Sequence, residues 1–180
     1  MVDKESISDI LKELDKSFKI SLLSPNYIDS VFIAKLGVLE FCGWIEYTMD
    51  SIVKSALDGK LQTDKYKKML SDDIIGKTYG FQYITHFRPM LIKALGIVNM
   101  EKIEISLTVQ LGTLSGILNT LIKQRNKAAH TFGSNIPKNY DAPSTMIGYL
   151  EQICPILEAI DEMITNNDEE YLILGLPLYG

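Results

Sequence analysis

Arg125, Asn126 and His130 fall within six consecutive residues of a 180-residue chain that contains only two arginines and two histidines. All its other basic residues are lysine, so arginine at position 125 departs from the chain's default cation. The planar guanidinium matches a phosphate or carboxylate with two parallel hydrogen bonds, which a lysine ammonium cannot do. His130 is the side chain of this stretch able to take or give a proton near neutral pH. Asn126 lies four residues before it, one helical turn away on the same face. There is also a plainer reading: the carbonyl end of a helix dipole favours cations of any kind.

These residue types suit phosphodiester transfer in RNA. RNA supplies its own nucleophile, the 2'-hydroxyl. A catalyst then has to deprotonate that group, protonate the departing 5'-oxygen and stabilise charge on phosphorus. Arg125 would hold the phosphate, His130 would do the acid or base work, and Asn126 would orient the histidine or a phosphate oxygen. Lys123, before the trio, and Lys127, between Asn126 and His130, make with Arg125 a local basic site for RNA. Other chemistries lack their signatures, for there is no Gly-rich phosphate loop, no His-x-x-x-His or Cys-x-x-Cys metal spacing, and no nucleophile elbow. Neither a metal nor a cofactor is expected. Cys42 and Cys154 sit in separate apolar helical patterns and read as buried free thiols.

An arginine, a polar residue after it and a histidine five positions on resembles the short motif of the HEPN superfamily, many of whose members are metal-independent endoribonucleases. The resemblance implies an up-and-down helical bundle that dimerises with its motifs facing each other across a cleft. It also implies RNA cleavage at Arg125, Asn126 and His130. Among HEPN proteins the chain is similar to those found beside phage-defence and toxin-antitoxin systems, which implies an RNA substrate, a homodimer and an antitoxin or defence-system partner protein. HEPN toxins paired with nucleotidyltransferase antitoxins carry a tyrosine two residues after the histidine, where this chain has Phe132, so inactivation by modification of that residue is not implied. Two rivals stand beside the ribonuclease reading. One is a non-catalytic HEPN-like module binding RNA, a nucleotide or a partner protein, and the other is a helical scaffold with no nucleic-acid role.

The elements that must position the motif read as helices throughout. The first covers about Asp3 to Phe18, with Ile7, Ile10, Leu11, Leu14 and Phe18 at helical spacing. After a break at Ser24-Pro25, a long helix from about Ile28 to Leu57 buries Phe32, Leu36, Leu39, Trp44, Ile45, Met49, Ile52, Val53 and Ala56. Its first half is apolar nearly all round, which predicts the central helix of a bundle. On it Glu40 and Glu46 are either exposed-edge residues or partners for a basic site on a neighbouring helix. A short helix is expected over Asp64 to Leu70, a loop around Ser71 to Gly80, and a helix over Phe81 to Leu95 that Pro89 bends or restarts. Ile84, Phe87, Leu91 and Leu95 should share its buried side, while His86 and Arg88, two apart, should pack or lie at the surface.

The motif-bearing helix should begin between Asn99 and Ile105 and continue to about Thr131, with Leu107, Leu111, Leu114, Leu118 and Leu121 as its core stripe. Gly112, Gly116, Asn119, Lys123 and His130 then fall on the opposite face. Two glycines four apart cost helix stability, so something should pack closely there. On a straight helix Arg125 stands about 140° from His130, toward the leucine side. The two converge only if the helix tightens or ends near Ala129, or if they meet across a dimer. A loop through Gly133, Asn135 and Pro137 precedes a last helix from about Pro143 to Thr165, kinked at Pro155. Its buried series is Ile147, Leu150, Ile153, Leu157, Ile160 and Ile164.

The fold class is therefore all-α, an up-and-down bundle of about five main helices over residues 1–166, with a C-terminal arm at 167–180. The net charge of −5 argues against a general nucleic-acid coating protein but allows a local basic site. The charged start, Met1 to Asp15, does not read as a signal peptide. Asp29, Lys35 and Glu40 interrupt the most apolar segment, so the chain is expected to be cytoplasmic and not to cross a membrane.

Overall fold

The long second helix organises the molecule, because a segment apolar on nearly every side is stable only when other elements cover it. The computed structural model describes residues 2–24, 28–131 and 139–173, with side chains to residue 165, and among these residues every regular element is helical. Helix α1 is Lys4–Ser21 and α2 is Ile28–Ser55. Helix α2 packs against α1, α6 (Thr108–His130) and α7 (Pro143–Ile173), and so occupies the centre that its composition predicts. Its buried side chains include Val38, Phe41, Ile45, Met49, Ile52 and Val53.

The face α2 turns inward is not the one expected over its first half. Phe32 and Leu36 are 48% and 44% exposed, and Val31, Ala34, Val38 and Phe41 are buried in their place. Where apolar residues occur all round, periodicity does not choose a face; the neighbours do. In α1, Ile7 and Leu11 are buried as expected, Leu14 and Phe18 partly so, and Ile10 is exposed. Asp3 caps that helix by accepting from the Ser6 backbone N–H at 3.2 Å, and its carbonyl accepts from Trp44 Nε1 at 2.7 Å. One residue thus ends α1 correctly and ties it to α2.

Between α2 and α6 the chain is helical further than its sequence suggests. The short helix α3, Asp64–Lys68, runs directly into a π-helical segment, Met69–Ile75. That segment ends with Gly76 N–H donating to the Ser71 carbonyl at 2.8 Å, and it occupies half of the expected loop. A second π-helical turn, Tyr83–Phe87, leads into α4, Arg88–Leu95, which restarts with Pro89 in its first turn. Phe87 and Leu91 are buried and Leu95 partly so, but Ile84 is 60% exposed. The wider π turn rotates Ile84 off the face that a continuous α-helix would have given it.

Arg88 reads as a structural residue. Its Nε and Nη2 donate to the two carboxylate oxygens of Glu104 at 2.6 and 2.9 Å, and Tyr83 Oη donates to Glu104 Oε1 at 3.0 Å. The hydrogen bond from Arg88 holds the Glu104 carboxyl below its ordinary value of 4.5. A carboxyl whose folded value is depressed contributes stability above its unfolded value and loses that contribution as pH falls through the folded one. Thermal unfolding followed by circular dichroism should therefore show stability falling on acidification below about pH 4.5. Glu104→Gln should be less stable than wild type at pH 7, with the difference shrinking toward pH 3.

The motif-bearing helix is two helices. Helix α5, Ile97–Ser106, meets α6 at 93°. Thr108 Oγ1 donates to the carbonyls of Glu104 and Ile105 at 2.7 and 3.1 Å, and Leu107 at the corner departs from helical dihedrals. A side-chain hydroxyl that takes backbone carbonyls in this way offers the chain an alternative to a straight helix. Leu107, Leu111, Leu114, Leu118 and Leu121 are all buried, as expected. No single helix among the described residues is long and apolar enough to cross a membrane.

Helix α7 buries Met146, Leu150, Ile153, Leu157, Ile160 and Ile164, while Ile147 is only partly covered. It runs through Pro155, which is exposed, so the Glu151 carbonyl that loses its helical partner there lies on the solvent side. The helix also continues to Ile173, where an extended arm was expected from residue 167. Pro25, Phe132, Gly133, Asn135, Pro137 and residues 174–180 lie outside the described residues.

Candidate functional site

The end of α6 is fixed from two sides. Gln124 donates to an Asp141 carboxylate oxygen, and Asp141 N–H donates back to Gln124 Oε1 at 3.1 Å. Lys127 Nζ donates to Asn139 Oδ1 at 2.8 Å and lies 5.5 Å from the centre of the Tyr140 ring. Thr131 Oγ1 donates to the Lys127 carbonyl at 2.6 Å and is 2.8 Å from Tyr140 Oη. From the other side Lys35 of α2 donates through Nζ to the Thr131 carbonyl at 2.7 Å. A cation there meets the negative end of the α6 dipole.

On this pinned helix end the motif residues face different ways. Helix α6 stays helical through His130, and Thr131 is the first extended residue. The early end that could have folded His130 back toward Arg125 does not occur, so the separation of about 140° stands within one chain. Arg125 lies toward α2, half-buried, with Nη2 3.8 Å from Glu46 Oε1 and Nη1 3.5 Å from Asn126 Oδ1. His130 and Asn126 are exposed, and His130 makes no hydrogen bond to a described residue. Of the two acidic candidates, Glu46 partners the basic site, and Glu40 is an exposed residue of α2.

The small-residue face is open. An added Cβ at Gly112 or Gly116 would meet nothing within 4 Å, so no described residue packs where a close neighbour was expected. Lys123 and His130 share that exposed face, with Val109 80% exposed at its other end. Lys127 differs from Lys123 in being engaged with Asn139 and Tyr140, and it would have to leave them to meet an RNA phosphate.

Arg125 also lines a cavity of about 290 Å³ with Glu46 and Asp50 of α2 and Ile75, Gly76, Thr78, Tyr79 and Gly80 of the following segment. Burial pushes the Asp50 carboxyl above its ordinary value, against the opposing charge of Lys54. Cys42 lies within the electrostatic reach of Arg125, but burial drives its thiol up to about 12, which keeps it protonated and unreactive. Cys154 is likewise raised to about 12 by burial and by its contact with Glu158, and both cysteines are free and buried as expected. No group of three or more His, Cys, Asp or Glu among the described residues stands together to hold a metal ion.

Lys35, Asp50 and Tyr79 have no place in the motif read from sequence. Each reaches the neighbourhood of α6 from an element distant along the chain, and no spacing pattern marks it. Comparison with family models, curated proteins and solved structures finds no match to this chain.

Proposed function

We propose that the chain is a metal-independent endoribonuclease of HEPN type that acts as a homodimer. The observation that carries the reading is the state of His130: an exposed imidazole with no described hydrogen-bond partner, held on a helix end that several contacts make rigid. A histidine kept free on a fixed support is available for proton transfer to a ligand. Arg125, half-buried and 3.8 Å from Glu46, is positioned by that carboxylate while its guanidinium still lines an open cavity.

The 140° separation makes the second subunit part of the chemistry. In a two-fold dimer both copies present the same surface. That surface would have to span the open face of α6, with Lys123 and His130, and the flank that carries Arg125, for the Arg125 of one copy to meet the His130 of the other. In the reaction the 2'-oxygen attacks phosphorus and gives its proton to a base. The 5'-oxygen departs and takes a proton from an acid, leaving a 2',3'-cyclic phosphate and a 5'-hydroxyl. At each of the two shared sites His130 of one subunit takes the 2'-hydroxyl proton and, as the imidazolium, gives a proton to the 5'-oxygen, while Arg125 of the other subunit stabilises the charge on the phosphoryl oxygens. A regulating antitoxin or defence-system partner belongs to the same reading.

One observation favours the non-catalytic alternative: Arg125 already has a carboxylate partner and faces away from His130. The test is incubation of purified protein with RNA in the presence of a chelator. The ribonuclease reading expects cleavage with cyclic-phosphate ends. RNA left intact while the protein still binds it would favour the binding module.

A further inference from the structure

The cavity beside Arg125 holds one cation, two carboxylates and an exposed aromatic ring, an unusual lining for a surface cleft. Its volume of about 290 Å³ lies at the lower end of small-molecule sites, which run from about 300 Å³. Such a space suits one planar group. Tyr79 is 84% exposed at the rim, a large aromatic side chain that the described residues leave mostly uncovered. Asp50 is half-buried in the wall and makes no hydrogen bond or ion pair with a described residue. Glu46 differs, for it is spent on Arg125.

We infer that this cavity is a base pocket, in which Tyr79 stacks on a guanine and Asp50 accepts from its Watson–Crick edge while Arg125 holds the adjoining phosphate. The inference rests on the ribonuclease reading for the role of Arg125 and adds the identity of the base. An ionised carboxylate only accepts hydrogen bonds, and its two oxygens want two neighbouring donors. Guanine alone among the four RNA bases presents two adjacent donors, N1–H and the 2-amino group, on that edge. Adenine offers one donor beside an acceptor, cytosine one donor beside two acceptors, and the single uracil donor is flanked by acceptors. Unstacked bases of single-stranded RNA are read by this combination of an aromatic platform and edge hydrogen bonds. Burial raises the affinity of Asp50 for a proton, and hydrogen bonds from a bound guanine to the carboxylate would act in the opposite direction.

The experiment measures fluorescence anisotropy of labelled RNA octamers on the non-cleaving His130→Ala protein, with one central guanosine, inosine, adenosine or cytidine in a uridine tract. Guanosine should bind about tenfold more tightly than the others. Inosine, which lacks the 2-amino donor, should lose most of that advantage on the unaltered pocket, so this arm does not depend on folding of a pocket variant. Asp50→Asn should abolish the preference, and Tyr79→Ala should weaken every octamer about fivefold or more. Equal binding of all four octamers, or a preference unchanged by Asp50→Asn, overturns the inference. Cleavage by wild type with no base preference does so too, while sparing the ribonuclease reading. Guanosine-selective binding by a protein that cuts no RNA supports the pocket and removes the ribonuclease.

Discussion

Replacing His130 by alanine is expected to lower RNA cleavage by about 10²- to 10⁴-fold, the range that a positioned acid or base contributes. The thermal unfolding curve should not move. The two halves of this prediction come from the same fact: His130 is exposed and bonds to no described residue, so truncating it removes chemistry without removing packing. Its helix end is retained by Lys35, Thr131, Tyr140 and the Gln124–Asp141 pair, whose hydrogen bonds do not involve the imidazole. Cleavage assays with a chelator, beside circular-dichroism melting of the same preparation, check both parts. Unchanged cleavage would remove His130 from the mechanism.

Phe41→Ala is expected to destabilise the fold by about 3–5 kcal/mol, measured by urea unfolding, the cost typical of emptying a buried phenylalanine site. Phe41 has no solvent exposure and stacks on Trp44, with ring centroids 5.9 Å apart and planes within 8°. Trp44 in turn holds the N-cap of α1 through Asp3. Loss of the ring therefore loosens the junction of α1 and α2 as well as leaving a cavity. The consequence reaches the site, since Glu46, which positions Arg125, lies five residues further along the same helix. A change below about 1 kcal/mol would mean that the core closes over the gap.

How much of this could be read from sequence depended on how one-sided each segment is. Helix α6 was legible because leucine occupies one face and glycine and polar residues the other, and its four leucines, with Leu107 at the corner before it, are buried as expected. Helix α2 was legible in role but not in register. With apolar residues on every side, Phe32 and Leu36 looked as fit for burial as Val38 and Phe41, and only the placement of α1, α6 and α7 decides between them. The corner between α5 and α6 was hidden because the apolar pattern continues through it. At that corner the Thr108 hydroxyl donates to the Glu104 and Ile105 carbonyls, a contact that leaves no mark on hydrophobic spacing.

The candidate site divides in the same way. Arg125, Asn126 and His130 stood out by residue type and spacing, and ideal helix geometry already put Arg125 and His130 on different sides. The structure sharpens this by keeping α6 helical through His130. Glu46 was visible as an acid in an apolar helix, but its pairing with Arg125 needed the packing of α2 on α6. Tyr79 and Asp50 carried no signal, because a cavity wall built from two separated segments has no period.

The central claim is that catalysis uses Arg125 of one subunit with His130 of the other. Mixing Arg125→Ala with His130→Ala protein, each inactive alone, tests it directly. After subunit exchange, half of the dimers hold one copy of each, and in those one of the two shared sites carries both native residues. Cleavage in the mixture should return to about a quarter of the wild-type level. A mixture as inactive as its components, with exchange verified, would contradict the account.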